Sequence, residues 1–180
     1  FLGASGFWTF IERLGSASGL QAEFVANALA GGLFAGMVAC LLTSFFDERL
    51  GLRGPIVFCC SLILVALGCI GNEVTPNSYL LTVLLFQFAW VYSVNIMSAT
   101  VSVYDETGQY GALIPAAMGI GAIAGSAFAG NLITESYMPL LVFCAATTLN
   151  AIFTFVWVTG KTPARRPSFI KFETNGASEC

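Results

Sequence analysis

The stretch VFCCSLILVALGCI, residues 57–70, contains no charged side chain and no regular alternation of polar and apolar residues. Strands of a membrane β-barrel alternate lipid-facing and lumen-facing residues, so this stretch is a poor barrel strand. About 20 apolar residues cross the hydrocarbon core of a bilayer as a helix. The stretch therefore predicts a helix that lies in a membrane.

Runs of the same kind fill most of the chain. Only 9% of the residues are charged and 57% are hydrophobic, with a mean hydropathy of +0.81, whereas about a quarter of the residues of an ordinary soluble domain are charged. A backbone in lipid must satisfy its own hydrogen bonds, which helices do. We therefore predict an all-α integral membrane protein. Its charge-free runs cover residues 24–46, 54–72, 74–104, 107–134 and 136–160.

These runs divide the chain into six predicted segments joined by short turns that carry Gly, Pro or Asn. The first segment reads as a partial helix, and we expect the sequence to be a fragment that begins inside it. A polar tail, 161–180, follows a bundle formed by 1–160. The segments are predicted at 1–15, 23–46, 55–70, 76–104, 110–133 and 138–159.

The basic residues predict the orientation of this bundle. The charged turn at 47–53 and the tail are separated by four crossings, so they lie on the same side of the membrane. That side carries every Lys and Arg except Arg13. Basic residues are retained on the cytoplasmic side, so we expect the C-terminus to be cytoplasmic. The basic residues on that side are Arg49, Arg53, Lys161, Arg165, Arg166 and Lys171.

The six segments show the same order of side-chain types twice. Segments one and four carry polar side chains, segments two and five are rich in small residues, and segments three and six are plainly apolar. Gly32 and Gly36 in segment two correspond to Gly121 and Gly125 in segment five, and small residues four apart let helix backbones approach closely. Three crossings separate the copies, so we predict two inverted three-helix repeats, a plan used by secondary transporters.

Segment four has a polar arc. At 100° per residue, Gln87, Asn95, Ser98 and Ser102 fall within about 80° of one another, and Trp90 borders them. Polar residues on a membrane helix face the protein interior or a watery cavity. Two interpretations stay open for this arc: a path for a transported molecule, or a seam of hydrogen bonds between helices.

Segment one places Trp8 and Glu12 on one face, four residues apart. A carboxylate within the membrane is a candidate for coupling to protons or other cations. The alternative for Glu12 is a residue near the helix end that reaches the interface, because Arg13 follows it and Gly15, Ser16 and Gly19 predict a turn.

The charged turn resembles a motif of the major facilitator superfamily, G-x-x-x-D-R-x-G-R-[RK], in the loop between the second and third helices of a six-helix half. Residues 44–53, SFFDERLGLR, match it with Arg49, Gly51 and Arg53, and Glu48 stands for the Asp. Ser44 replaces the first Gly and Leu52 replaces an Arg. The resemblance covers nearly the whole chain as helices seven to twelve, and VYDETGQYGALIPAAMGIGAIAG (103–125) is similar to the tenth-to-eleventh helix region of bacterial members.

The resemblance implies a secondary transporter that moves a small molecule by alternating access and is coupled to a proton or cation. It implies residence in the cell membrane, the inner membrane of a bacterium. It also implies an N-terminal six-helix half as partner, which segments two and five would contact through their small-residue stripes. The path would be lined by Trp8, Glu12, Gln87, Trp90, Asn95 and Ser98, and Glu48, Arg49, Gly51 and Arg53 would form a cytoplasmic gating loop. The alternative for this turn is a solvated loop that only sets the topology through its basic residues.

Other classes of function fit less well. The sequence has no histidine and no HExxH or GxSxG motif, so we do not expect an enzyme. The six cysteines show no metal-ligand spacing, and we expect no metal, no cofactor and no nucleic-acid partner. A polytopic scaffold or anchor without transport remains the alternative, although anchoring alone needs neither a polar arc nor a repeated triplet.

Overall fold

The computed structural model describes residues 1–46, 53–71, 74–105, 108–133 and 136–161, and every regular element within these ranges is an α-helix. The prediction of six helical segments is confirmed, with each end within two residues of its predicted place. The helices are α1 (Leu2–Ala17), α2 (Ala22–Phe46), α3 (Arg53–Ile70), α4 (Pro76–Tyr104), α5 (Gln109–Leu132) and α6 (Met138–Lys161).

Four of these helices, α2, α4, α5 and α6, are long and apolar enough to cross a membrane. The apolar part of α3, Gly54–Ile70, is shorter. Large apolar side chains point outward from the bundle on several helices, for example Phe34 (65% exposed), Ile123 (76%) and Phe153 (71%). Such a surface is disfavoured in water and favoured in lipid. The described helices therefore fit a multi-pass membrane protein.

The start of α4 is fixed by its own sequence. Thr75 accepts a hydrogen bond from the backbone N–H of Ser78, and the Ser78 hydroxyl accepts one from the backbone N–H of Thr75. This reciprocal capping box satisfies two backbone donors. Pro76 occupies the first turn, where the missing N–H costs nothing. The sequence TPNS thus begins the longest helix of the bundle at a defined residue.

The order of their contacts shows that α2 and α4 are parallel to each other. Along this pair Gly32 lies beside Val83 and Gly36 beside Val91. The pair α1 and α5 is parallel in the same way, with Gly121 beside Phe1 and Gly130 beside Phe10. Each parallel pair therefore contains one of the two small-residue helices.

Helix α4 supplies much of the buried core. Tyr79, Val83 and Phe86, which lie on one face at helical spacing, are each 0% exposed. The Tyr79 hydroxyl donates to the backbone carbonyl of Ile11, 3.1 Å away, and the Thr82 hydroxyl donates to the carbonyl of Ala66, 3.0 Å away. These bonds tie α4 to α1 and to α3, so the bundle is organised around α4.

Several predictions concern residues outside the described ranges. Glu48, Arg49 and Gly51 of the predicted gating loop belong to this group, as does the tail from residue 162 onward. Arg53 begins α3. The gating-loop prediction therefore stays a prediction.

Candidate functional site

Aromatic side chains of α1 and α4 meet in the middle of the bundle. The ring centroids of Trp8 and Trp90 are 6.2 Å apart with a 58° angle between the planes. Phe86 lies 5.9 Å from Trp90 and 6.4 Å from Trp8, almost parallel to the latter ring. Phe1 completes the group at 5.8 Å from Trp90, and Phe7 at 4.7 Å from Phe86. We call these five residues the aromatic cluster.

The aromatic cluster has a dry side and an accessible side. Phe7 and Phe86 are 0% exposed and form part of the core. Trp8 and Trp90 are half-buried, so each presents part of its indole at the surface of the bundle. Trp90 is the central residue of α4, which runs from Pro76 to Tyr104. The accessible indoles therefore lie beside the middle of the longest described helix.

Gln87 lies one turn before Trp90 on the same helix and is 7% exposed. Its side-chain oxygen, Oε1, is buried and has no hydrogen-bond partner among the residues that the structure describes. The residue across from it on α2 is Gly36, where an added Cβ would lie 3.6 Å from Nε2 of Gln87. A glycine has no side chain to offer a donor. An amide without a partner in apolar surroundings costs about 1–3 kcal/mol, so the fold keeps this group at an energetic cost.

The rest of the polar arc behaves differently. Nδ2 of Asn95 donates to Sγ of Cys40 on α2, 3.3 Å away. Ser98 is half-buried, and its backbone carbonyl accepts a hydrogen bond from the Ser102 hydroxyl at 3.0 Å. At Asn95 the arc therefore forms a hydrogen bond between helices, as one of the two interpretations predicts. The side-chain oxygen of Gln87 forms no such bond to any described residue.

Glu12 is exposed and lies on α1 one turn beyond Trp8. The bond from Tyr79 to the carbonyl of Ile11 holds this part of α1 against α4. Since α1 ends at Ala17, Glu12 lies in the second half of the helix and not in its last turn. The neighbouring Arg13 is also exposed, but it projects about 100° away around the helix.

The small-residue stripes lie inside the described bundle, which differs from the expectation that they face an absent half. Gly32 and Gly36 are buried against α4, and Gly125 is buried against α1. An added Cβ at Gly121 would lie 2.9 Å from the Cβ of Phe1, and one at Gly125 would collide with the backbone carbonyl of Leu2. The spacing predicts a close approach of another helix, and within the described bundle α4 and α1 make that approach.

A polar link between α1 and α5 was not predicted. The hydroxyls of Thr9 and Ser126 are 2.9 Å apart and form a hydrogen bond. One turn earlier the Ser5 hydroxyl lies 3.3 Å from the carbonyl of Gly121. The only sequence signal for this link is the spacing of Ser5 and Thr9, four residues apart beside the small residues of α5.

A separate cavity of about 400 Å³ lies among α2, α3 and α4, lined by Leu42, Gly54, Pro55, Phe58, Cys59, Phe88 and Tyr92. Its lining is mostly apolar and contains no charged side chain, so it offers little directional recognition. Among the described residues no group of three His, Cys, Asp or Glu side chains is placed to hold a metal ion. The candidate site is therefore the α1–α4 face with the accessible indoles and Glu12, together with Gln87 at the adjoining α2–α4 contact.

Comparisons with models of protein families, with curated proteins and with solved structures gave no significant match to this chain.

Proposed function

We propose that this chain is the C-terminal half of a secondary transporter that moves a small molecule across the cell membrane by alternating access. The observation that carries the proposal is the Gln87 side chain, which is nine-tenths buried near the midpoint of α4 and whose oxygen lacks a hydrogen-bond partner within the described part of the chain. A purely structural seam would pair this amide with α2. A transported molecule or the water that accompanies it supplies a partner during the transport cycle.

The helix contacts support the inverted-repeat arrangement that we propose for the bundle. Exchange of α1 with α4, α2 with α5 and α3 with α6 turns the α2–α4 contact into α5–α1 and the α3–α4 contact into α6–α1. The smaller contacts α1–α2 and α4–α5 are exchanged likewise, and α3–α6 maps onto itself. In this arrangement α1 and α4 are equivalent helices, and together they carry the candidate site.

The remaining parts of the proposal follow from the sequence. An N-terminal six-helix half is the proposed partner, and the two halves rock about the site between them. The basic residues flanking α2, α3 and α6 support a cytoplasmic location for the charged turn and the C-terminus. Glu48, Arg49, Gly51 and Arg53 form the proposed gating loop in that turn, and Glu12 is the proposed carrier of the coupling proton.

Transport by reconstituted protein tests this function. We expect the complete protein in proteoliposomes, with an imposed pH gradient, to accumulate one class from a panel of radiolabelled cations, anions and neutral polar solutes. The chain 1–180 alone is expected to accumulate none, because the path needs both halves. If the complete protein, shown to be folded, accumulates none of the panel, the chain belongs to a membrane scaffold and the proposal is wrong.

Glu12→Gln tests the coupling in the same assay. We expect the variant to lose the dependence of accumulation on the pH gradient, because glutamine cannot carry a proton, while exchange of labelled for unlabelled substrate continues. Glu23→Gln, which changes another exposed carboxylate at the start of α2, is the matched control and retains the dependence. If accumulation by Glu12→Gln still depends on the pH gradient, Glu12 does not carry the coupling proton and is only a residue near the helix end.

A further inference from the structure

The accessible side of the aromatic cluster indicates what the site binds. Trp8 and Trp90 are half-buried, and their planes meet at 58° with centroids 6.2 Å apart. Aromatic side chains that serve only as core are buried, as Phe7 and Phe86 are in this same cluster. Two tryptophans that keep part of their rings accessible at the middle of a membrane bundle form a wall for a ligand.

The electrostatics of this wall favour a cation. The face of an indole carries negative potential, and tryptophan is the aromatic residue that holds cations best. The centroids, 6.2 Å apart, are close enough that one positive group can lie within about 6 Å of both rings. Glu12 adds an acidic side chain one turn from Trp8 on the same face of α1. An anion would meet unfavourable potential from all three side chains.

A neutral polyol is also a poor fit for this wall. Sugars need several hydrogen-bonding side chains for their hydroxyl groups, in addition to any aromatic platform. Among the described polar residues within one turn of the indoles, Ser5 and Ser93 already donate to the backbone carbonyls of Phe1 and Ala89. The others on these faces are Glu12 and Gln87, and Gln87 is only 7% exposed. Its side-chain oxygen is the negative end of the amide dipole, which suits a positively charged group whether or not that group carries an N–H.

We infer that the transported molecule is an organic cation, a quaternary or protonated amine, bound by Trp8 and Trp90 and attracted by Glu12. That this cation is transported rests on the proposed function, whereas its binding at the two tryptophans does not depend on that function. The cation replaces its lost hydration with the two ring faces and the carboxylate.

The test is calorimetric titration of the complete purified protein with benzyltrimethylammonium and with N,N-dimethylbenzamide, an uncharged molecule of similar size. We expect the cation to bind at least about tenfold more tightly than the amide. Trp90→Leu and Glu12→Gln are each expected to weaken cation binding about fivefold or more, with little effect on the amide. Trp90→Phe, which keeps a ring, is expected to retain more affinity than Trp90→Leu and guards against a folding defect.

Two matched controls complete the design. Trp157→Leu changes a tryptophan of α6 that is 55% exposed and lies outside the aromatic cluster, and Glu23→Gln changes another exposed carboxylate. Both are expected to leave cation affinity unchanged. Equal affinity for the cation and the amide, or full affinity in Trp90→Leu and Glu12→Gln, would overturn the inference and leave transport of another solute possible. Selective cation binding with no transport of any solute would uphold the site and contradict the proposed function.

Discussion

Gln87→Met is expected to reduce transport by about tenfold or more while it raises the thermal stability of the protein. Methionine has a similar length but no amide, so the variant removes a buried oxygen that has no partner in the described structure. Removal of a buried polar group that has no hydrogen-bond partner raises the free energy of unfolding by about 1–3 kcal/mol. Loss of one hydrogen bond to the transported molecule, at about 1.4 kcal/mol, corresponds to about tenfold in affinity.

The opposite signs of these two effects make the prediction discriminating. Transport is measured as the initial rate of uptake into proteoliposomes, and stability as the midpoint of thermal unfolding in detergent. Gln109→Met changes an exposed glutamine in the first turn of α5 and is expected to alter neither. A Gln87→Met protein that is less stable and transports at the normal rate would show that the amide is a structural hydrogen-bond partner.

Gly125→Ala is expected to lower the free energy of unfolding by about 1–3 kcal/mol, because a methyl group there overpacks the α1–α5 contact. The added Cβ would collide with the backbone carbonyl of Leu2 and lie 2.5 Å from the Ser5 hydroxyl oxygen. The hydroxyl can rotate away, but the carbonyl moves only with α1. Since α1 also carries Trp8, its displacement is expected to weaken ligand binding as well.

Gly119→Ala is the matched control on the same helix. A Cβ at Gly119 would meet nothing within 4 Å, so this change is expected to be neutral or slightly stabilising, as alanine favours helices over glycine. Chemical unfolding of the purified protein followed by circular dichroism measures both variants. Equal stability of Gly125→Ala and Gly119→Ala would mean that α1 and α5 do not approach as closely as described.

The helices were predictable because the residues that end them are visible in the chain. Charged, glycine and proline residues separate the apolar runs, and TPNS before α4 contains its own capping groups. The partner of each helix face was harder to predict. The spacing of Gly32 and Gly36 indicates a close approach, but it contains no information on whether α4 or another half supplies the opposing surface.

The candidate site was partly predictable for the same reason. Gln87, Trp90, Trp8 and Glu12 stand out because polar and amphipathic residues are rare in these segments. The Thr9–Ser126 hydrogen bond could not be predicted, because a helical threonine commonly bonds the carbonyl four residues earlier. Thr9 does so with Ser5, at 2.8 Å, and its second bond to α5 depends on how the two helices are placed.

Thiol labelling at position 90 tests most directly whether the middle of α4 faces a water-accessible path. In a background without native cysteines, we expect Trp90→Cys in the complete membrane-embedded protein to react with a sulfonated, membrane-impermeant maleimide. Phe153→Cys replaces a side chain on α6 that is 71% exposed and faces lipid in this account, so it is expected to stay unlabelled. Labelling at 153 with none at 90 would contradict a transport path at this face of the bundle.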